Sequence, residues 1–228
     1  MDLSIFFHAV RKSVFHGTLT RGQVDGMERI IAYRDENYPR LGDEQLAYVL
    51  ATVAWETGYR MIPVKETGSD RYLRSKKYWP HIGVGLVQVT WESNWRRFGI
   101  KSIEDGLSWP TALHACFAGM TKGLFTGRKL DDYIGSGRRD YVGARRIING
   151  TDRAHEIAKL AESFRSALIE ADQQSPAPPP TPVPPTPQFR EWLLQALRED
   201  EEVRAAVIAV VFPCLLYTSD AADDTPCV

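Results

Sequence analysis

Residues 43–58 read DEQLAYVLATVAWETG, and this stretch decides the fold of the front part of the chain. Asp43 is a predicted N-cap, and apolar residues follow it at the spacing of a helix face: Leu46, Val49, Leu50 and Val53. Gly58 predicts the end of that helix, because glycine readily adopts the left-handed conformation found just after a last turn. We therefore expect a core helix whose last turn contains Glu56.

Similar signals predict helices on both sides of this stretch. Thr20 and Gln23 have the spacing of a capping box, which opens a helix through Ile31. Ser108 precedes Trp109-Pro110 and predicts another helix start. A final helix follows Thr151, with one apolar face formed by Ile157, Leu160, Ala161, Phe164 and Leu168. Only residues 86–91 alternate like a strand, so the expected fold is mainly α, lysozyme-sized, with a small β element.

The chain divides into four predicted parts, the first being a folded domain over residues 1–172. Residues 173–188, QQSPAPPPTPVPPTPQ, form a Pro-rich linker of the kind that favours polyproline II and acts as a stiff spacer. Residues 189–213 begin as an amphipathic helix and end in an apolar run, 205–211. That run is shorter than the roughly 20 residues needed to span a bilayer.

Residues 214–228 form the fourth part, which we predict to be a non-native tail. Within it, residues 214–224 resemble the translated sequence of a sequencing-library adapter. This resemblance predicts that the natural chain was cut near Pro213 and that its C-terminal module is missing. The alternative is a genuine acidic tail.

The charge of the chain is unevenly distributed. Residues 1–172 carry 25 Lys and Arg against 21 Asp and Glu, whereas residues 173–228 carry 3 against 8. A mildly basic front domain suits an anionic polymer such as peptidoglycan but is too weakly charged to indicate nucleic acid. Of the three cysteines, only Cys116 lies in this domain, where it is expected in the core, so no disulfide framework is predicted.

The N-terminus, MDLSIFFHAV, has neither a basic segment nor a long apolar segment. It therefore does not read as a secretory signal, and synthesis in the cytoplasm is expected. If the substrate is the cell wall, the protein acts at the wall or in the periplasm only after release by another route.

Glu56 is the first candidate for chemistry. It follows Val49 and Val53 on the apolar face of the predicted helix, where glutamate is rarely buried without a reason. Burial and the C-terminal end of the helix dipole both favour the neutral carboxylic acid. A glycosidase needs such an acid to protonate the leaving oxygen. The alternative is a surface glutamate at a frayed helix end.

Glu66 is the candidate partner, on a loop or short turn after Pro63. A loop can bring it across a cleft from Glu56, and inverting glycosidases hold their two carboxyl groups about 6.5–9.5 Å apart. Without other information, a solvated loop glutamate is the simpler interpretation.

Polar and aromatic residues follow in the predicted strand and just after it. In a strand, Gln88 and Thr90 share one face and can line a groove that holds an N-acetyl group or the attacking water. Trp91, with Trp79, Trp95 and Trp109, adds aromatic surface that can stack on sugar rings, although core packing is the default for each. Asn94 and Asn149 are further amides, and Asn149-Gly150 also fits a simple turn.

Other chemistries fit the sequence poorly. The five histidines show no metal-ligand spacing, and no nucleophile elbow is present. Gly83-Val-Gly85 lacks the third glycine and the following helix of a dinucleotide-binding loop. We therefore predict no metal and no cofactor.

Taken together, these blocks resemble glycoside hydrolase family 19, in particular its short phage-endolysin-like members. The resemblance covers about residues 6–168. It rests on the order and spacing of several short segments: Gly22-Gln-Val-Asp-Gly26, Leu46 to Thr52, Trp55-Glu-Thr-Gly58, Pro63-Val-Lys-Glu66, Val87-Gln-Val-Thr-Trp91, Phe125-Thr-Gly127 and Arg145-Arg-Ile-Ile-Asn-Gly150.

The resemblance implies a lysozyme-like α fold and inverting hydrolysis of β-1,4 bonds next to N-acetylated sugars. It makes Glu56 the general acid, Glu66 the general base and Thr90 a residue that helps to hold the water. The substrate-binding positions fall on Gln88, Asn94 and Asn149. We also assign Trp91 and Arg146 to substrate binding.

Two positions depart from the family pattern. Trp55 stands where the family has histidine, and Val84 stands where it has arginine in a Tyr-Gly-Arg-Gly block. The expected charge beside the cleft would then come from another residue, for which the candidates are Arg71, Arg74, Arg145 and Arg146.

The resulting hypothesis is a peptidoglycan-degrading endolysin of muramidase type, expected to be a monomer without a membrane span. A chitinase using the same residues is the nearest alternative, and a lytic transglycosylase, which needs one acid, is another. A wall-binding module that has lost catalysis is the alternative of a different class.

Overall fold

A computed structural model describes residues 1–135, 137–173, 187–199 and 201 of the chain. Residues 1–175 form one compact unit and residues 176–228 a second. The predicted linker lies almost wholly outside the described residues, and so do the apolar run 205–211, the tail 214–228, Cys214 and Cys227. Across the described residues, no helix is both long enough and apolar enough to cross a membrane.

The first unit is mainly α, as predicted, and across its described residues the β structure consists of two very short antiparallel strand pairs and one isolated bridge. Its helices are α1 Leu3–Ser13, α2 Arg21–Asn37, α3 Asp43–Glu56, α4 Asp70–Arg74, α5 Glu92–Arg97, α6 Ile103–Leu107, α7 Trp109–Lys122, α8 Tyr141–Ala144 and α9 Ala154–Gln173. Two 3₁₀ turns cover Leu130–Asp132 and Arg145–Ile147. The antiparallel pairs are β1 Val64–Lys65 with β2 Val84–Gly85, and β3 Ile134–Gly135 with β4 Arg138–Arg139.

Helix α3 is the centre of the core. Every residue from Leu46 to Ala54 is buried, so the helix is covered on all sides and not only on the predicted apolar face. Such an all-round apolar helix belongs in the interior of a domain. It packs most extensively against α9, which also supports α1. Of the predicted apolar face of α9, all but Leu160 is buried.

The helix termini mostly follow the predicted signals. Thr20 and Gln23 form a complete capping box, with each side chain bonded to the other residue's backbone amide. Gly58 follows α3 with φ of +58°. The prediction of Asp43 as an N-cap is wrong by one residue: Gly42 takes that position, and the Asp43 carboxylate pairs with Arg34 at 3.1 Å.

The predicted strand over residues 86–91 is wrong. Residues 86–88 form a turn after β2, and only Val89 returns to make an isolated bridge with Val84. Gln88 has φ of +54° and Trp91 has φ of +77°, which no regular strand allows. The alternating apolar residues are buried because this tight turn packs into the core.

A polar stripe interrupts the apolar surface of α3. Glu44, Tyr48, Thr52 and Glu56 are spaced by four residues and therefore lie on one side of the helix. The hydroxyls of Tyr48 and Thr52 are fully buried close to each other, and neither has a further hydrogen-bond partner among the described residues. The Tyr48 ring stacks on Tyr141 with centroids 5.8 Å apart, which packs the ring but gives the hydroxyl no partner.

In the second unit, α10 spans Pro187–Glu199. The helix predicted from Phe189 therefore starts two residues earlier, at a proline, which is well tolerated in a first turn. In the first unit, Cys116 is buried as predicted, and burial raises the pKa of its thiol to about 12.

Candidate active site

A cleft of about 380 Å³ opens where the end of α3 faces the turn after β2. Six of the eight predicted site residues line it: Glu56, Gln88, Thr90, Trp91, Asn94 and Asn149. Val87, Val89, Phe125 and Ile148 complete the lining. The structure thus brings one carboxyl group together with amides, a hydroxyl and an indole contributed by three separate parts of the chain.

Glu56 reaches the cleft from the last turn of α3 with only 16% of its side chain exposed. Its Oε1 accepts a hydrogen bond of 2.7 Å from Nη1 of Arg145, whose side chain is 4% exposed. Nε of Arg145 donates to the carbonyl of Asp152 at 3.0 Å, which fixes the plane of the guanidinium. The partly buried carboxyl is therefore held in one orientation by a cation, a partner that the helix pattern did not indicate.

Arg145 and Arg146 are adjacent in sequence but differ in environment. In the 3₁₀ turn Arg145–Ile147, successive side chains point about 120° apart, which places Arg145 inside and Arg146 outside. Arg146 does not line the cleft, and its carbonyl accepts a hydrogen bond from Thr126. The prediction of Arg146 as a substrate-binding residue is therefore not supported by its position, and the arginine beside the acid is Arg145.

Glu66 lies directly after β1 and does not line the cleft. Its Oε1 accepts a hydrogen bond of 2.6 Å from the Tyr78 hydroxyl, and its Oε2 accepts one of 3.1 Å from the amide of Gly83. Burial and, next, the bond to Glu66 raise the pKa of Tyr78 to about 12, so Tyr78 remains a donor at neutral pH. A carboxylate has about four acceptor sites, so Glu66 keeps capacity for a water.

Gly83 connects Glu66 to the cleft lining. A Cβ at this position would lie 2.9 Å from Oε1 of Gln88 and 3.3 Å from Oγ1 of Thr90. Glu66 therefore bonds to a backbone segment that touches both predicted polar residues of the cleft, and any side chain larger than glycine at residue 83 would displace them.

The turn that carries Gln88, Thr90 and Trp91 is strained but well bonded. Positive φ at a non-glycine residue costs of order 1–3 kcal/mol, and both Gln88 and Trp91 have it. Nε2 of Gln88 donates to the carbonyls of Val64 and Gly85, and the Thr90 hydroxyl donates to the carbonyl of Gln88. Asn94 donates to the carbonyl of Thr90. These bonds offset the strain and fix the polar groups that face Glu56.

Val84 does not border the cleft. Its side chain is fully buried against Gly106, where an added Cβ would approach Cγ2 of Val84 to 2.4 Å. The expectation of a cleft-side position for residue 84 is therefore wrong for this chain, because the residue points into the core.

The four tryptophans considered as sugar-stacking residues differ in solvent exposure. Trp91 is 49% exposed and Trp79 is 37% exposed. Trp95 is a core residue whose Nε1 donates to the carbonyls of Ile82 and Val89, and Trp109 is half-buried under Arg29. Only Trp91 lines the cleft.

A second depression, of about 570 Å³, also contains carboxylates, but these already serve structural roles. Asp140 caps α8 through the amide of Gly143, and Glu162 pairs with Arg139 at 3.1 Å. Among the described residues, no group of three or more His, Cys, Asp and Glu could hold a metal ion.

Four residues to which the residue pattern alone gave no role in the site line the cleft or support its lining. They are Phe125, Ile148, Tyr78 and Arg145. Phe125 and Arg145 belong to segments that carried the family resemblance, which was the available signal for them. Comparisons with protein-family models, curated proteins and solved structures find no match for this chain.

Proposed function

We propose that this protein is a glycoside hydrolase that cleaves β-1,4 bonds in GlcNAc-containing cell-wall polysaccharide, with Glu56 as general acid. The observation that carries the proposal is the arrangement of the cleft. A largely buried carboxyl group faces three amides, a hydroxyl and an exposed indole across a space of about 380 Å³.

Each group in the cleft suits a sugar chain. A tryptophan face packs on the apolar side of a pyranose ring, and amide and hydroxyl groups bond to its hydroxyl and N-acetyl groups. Glu56 is paired with Arg145 as a carboxylate, so in this proposal it takes up a proton before it protonates the leaving oxygen. We assign this role to Glu56 and binding roles to Gln88, Asn94, Asn149 and Trp91, within a lysozyme-like fold.

Glu66 is the proposed general base, with Thr90 helping to hold the water. In this assignment Tyr78 and the Gly83 amide orient the Glu66 carboxylate, and Gly83 itself lies close to Thr90. Peptidoglycan is the proposed substrate, and an endolysin active at the wall after release is the proposed biological role. Chitin is the alternative substrate.

The test measures release of reducing ends from purified peptidoglycan and from colloidal chitin. General acid catalysis contributes about 10²–10⁴-fold, so Glu56→Gln and Glu66→Gln should each lose at least about 100-fold in activity. Glu28→Gln, an exposed glutamate in α2, is the matched control and should keep full activity. Circular dichroism establishes that the variants fold.

The outcomes separate the alternatives. Products of inverted anomeric configuration support the two-carboxylate mechanism. Anhydro ends together with an active Glu66→Gln variant indicate a lytic transglycosylase, and hydrolysis of chitin alone indicates a chitinase. Sedimentation with walls but no product from the wild-type protein would refute the enzyme proposal in favour of a binding module.

A further inference from the structure

A basic and aromatic segment borders the cleft beyond Trp91. Residues 70–79, which we call the basic arm, comprise α4 and the turn that follows it. The arm contains four Lys and Arg and only one acidic residue, Asp70. Its cations are Arg71, Arg74, Lys76 and Lys77.

These cations are available to a ligand. Arg71, Arg74 and Lys77 are exposed, and Lys76 is half-buried. Within the part of the chain that the structure describes, none of the four forms an ion pair with a carboxylate. Other exposed cations of the domain, such as Arg40 and Lys159, also form none of the described ion pairs, so what distinguishes the arm is that its four cations lie within seven consecutive residues and alternate with aromatic rings.

Aromatic rings hold two of these cations in place. The Arg74 guanidinium lies 5.0 Å from the centroid of the Trp79 ring, and Nζ of Lys76 lies 3.8 Å from that of Tyr72. Cation–π contacts of this kind are attractive and leave the other side of the cation open to an anion. The rings of Tyr72 and Trp79 are themselves 49% and 37% exposed.

The basic arm is continuous with the cleft through two rings. Tyr78 packs edge-on against Trp91 at 5.4 Å between centroids, and Trp91 lines the cleft. Tyr78 also bonds to Glu66. A polymer that lies over Trp91 would therefore come next to Tyr78, which belongs to the arm.

We propose that the basic arm binds carboxylates carried by the substrate chain, and that it selects peptidoglycan, with its acidic peptide stems, over neutral glycans. This inference rests on the proposed function. Alternating cations and exposed rings match a polymer that carries both sugar faces and side-chain carboxylates. A neutral polymer would use the rings alone.

The first test measures binding apart from catalysis. In a Glu56→Gln background, Arg71→Gln/Lys77→Gln removes two exposed cations that make no described contact with a ring. Arg40→Gln/Lys159→Gln, two exposed cations that do not line the cleft, is the control with the same charge change. An exposed pair is worth about 0.2–1 kcal/mol, so the arm variant should bind purified peptidoglycan about fivefold more weakly and the control less than twofold.

The second test identifies the anion. Esterifying the peptidoglycan carboxylates, or raising the salt to 1 M, where the Debye length is about 3 Å, should abolish the difference in binding between the Glu56→Gln parent and the arm variant. On neutral chitin oligosaccharides the two should bind alike.

Three results would overturn the inference. The first is that the arm and control variants bind peptidoglycan equally well. The second is that the arm variant loses as much affinity for chitin oligosaccharides as for peptidoglycan. The third is that binding disappears when only the phosphate-containing wall polymers are removed. Binding is measured with a protein that cannot cleave. Absence of hydrolysis by the wild type would therefore refute the proposed enzyme activity but would not affect the binding test of the basic arm.

Discussion

The ion pair between Arg145 and Glu56 should be the most costly polar contact to break in the cleft. Arg145→Met removes the guanidinium but keeps most of its apolar stem, which isolates the effect of the charge. The carboxyl of Glu56 would then remain 16% exposed without its partner. The expected result is a large loss of stability that depends on the presence of Glu56.

The magnitude follows from the distance and the burial. Two unit charges 2.7 Å apart attract by about 6 kcal/mol at an effective dielectric constant of about 20, and desolvation of both groups offsets much of this. Removing one member of a buried pair costs about 3–5 kcal/mol, and the residual exposure of Glu56 places this case near 3 kcal/mol. Losing the hydrogen bond from Nε to Asp152 adds about 1 kcal/mol. The expected total is about 4 kcal/mol.

The assay is urea unfolding of a double-mutant cycle. In the Glu56→Gln background no buried carboxylate is left unpaired, so Arg145→Met should cost only about 1–2 kcal/mol there. Arg139→Met breaks ion pairs that are about a third exposed or more, and should cost about 1 kcal/mol or less. A loss below about 1.5 kcal/mol for Arg145→Met, with a coupling energy below about 0.5 kcal/mol, would refute the reasoning.

Three further predictions concern glycines in α2 and two tyrosines. Gly26→Ala should destabilise the fold by about 1–3 kcal/mol, because the added Cβ would lie 1.9 Å from a backbone oxygen. Gly22→Ala, where the Cβ would enter open space, should be neutral or stabilising by up to about 1 kcal/mol. Thermal unfolding of the two variants tests this difference. Tyr48→Phe removes a buried hydroxyl whose described polar neighbour is the Thr52 hydroxyl. It should leave the free energy of unfolding unchanged or raise it by about 1 kcal/mol, and a loss above about 1 kcal/mol would contradict this expectation. Tyr78→Phe removes the donor to Glu66 and should lower kcat more than it changes KM, and an unchanged kcat would separate Tyr78 from catalysis. Because folding raises the pKa of Tyr78 to about 12 from an ordinary value near 10, its contribution to stability is complete below pH 10 and is lost as pH rises towards 12, so the stability difference between wild type and Tyr78→Phe should change over that interval.

The helices were predictable because their signals are local. A capping box needs only Thr20 and Gln23, and a helix end needs only a glycine such as Gly58 just after the last turn. The periodicity of α3 likewise identified the helix, and Glu56 at its end, before any packing was known. Six of the eight predicted site residues line one cleft. The family resemblance had selected the segments that carry them, although these segments are far apart along the chain.

Two expectations failed, and a choice between two candidate arginines stayed open, where the answer depends on contacts between distant segments. Alternation over residues 86–91 predicted a strand, but a turn buries the same apolar residues when it packs into a core. Arg145 and Arg146 are indistinguishable in sequence, and only the direction of a short 3₁₀ turn places one beside Glu56. Val84 was expected beside the cleft, yet its side chain packs against Gly106, twenty-two residues later in the chain.

The sequence by itself determined that this protein has a helical domain around α3 with a glutamate at the end of its core helix. Periodicity and capping act over about one turn, so neighbouring residues suffice to specify them. Only the tertiary structure decided which cation faces Glu56, what holds Glu66, and that the basic arm is continuous with the cleft. Each of these depends on side chains that are far apart along the chain and meet only after the core has packed.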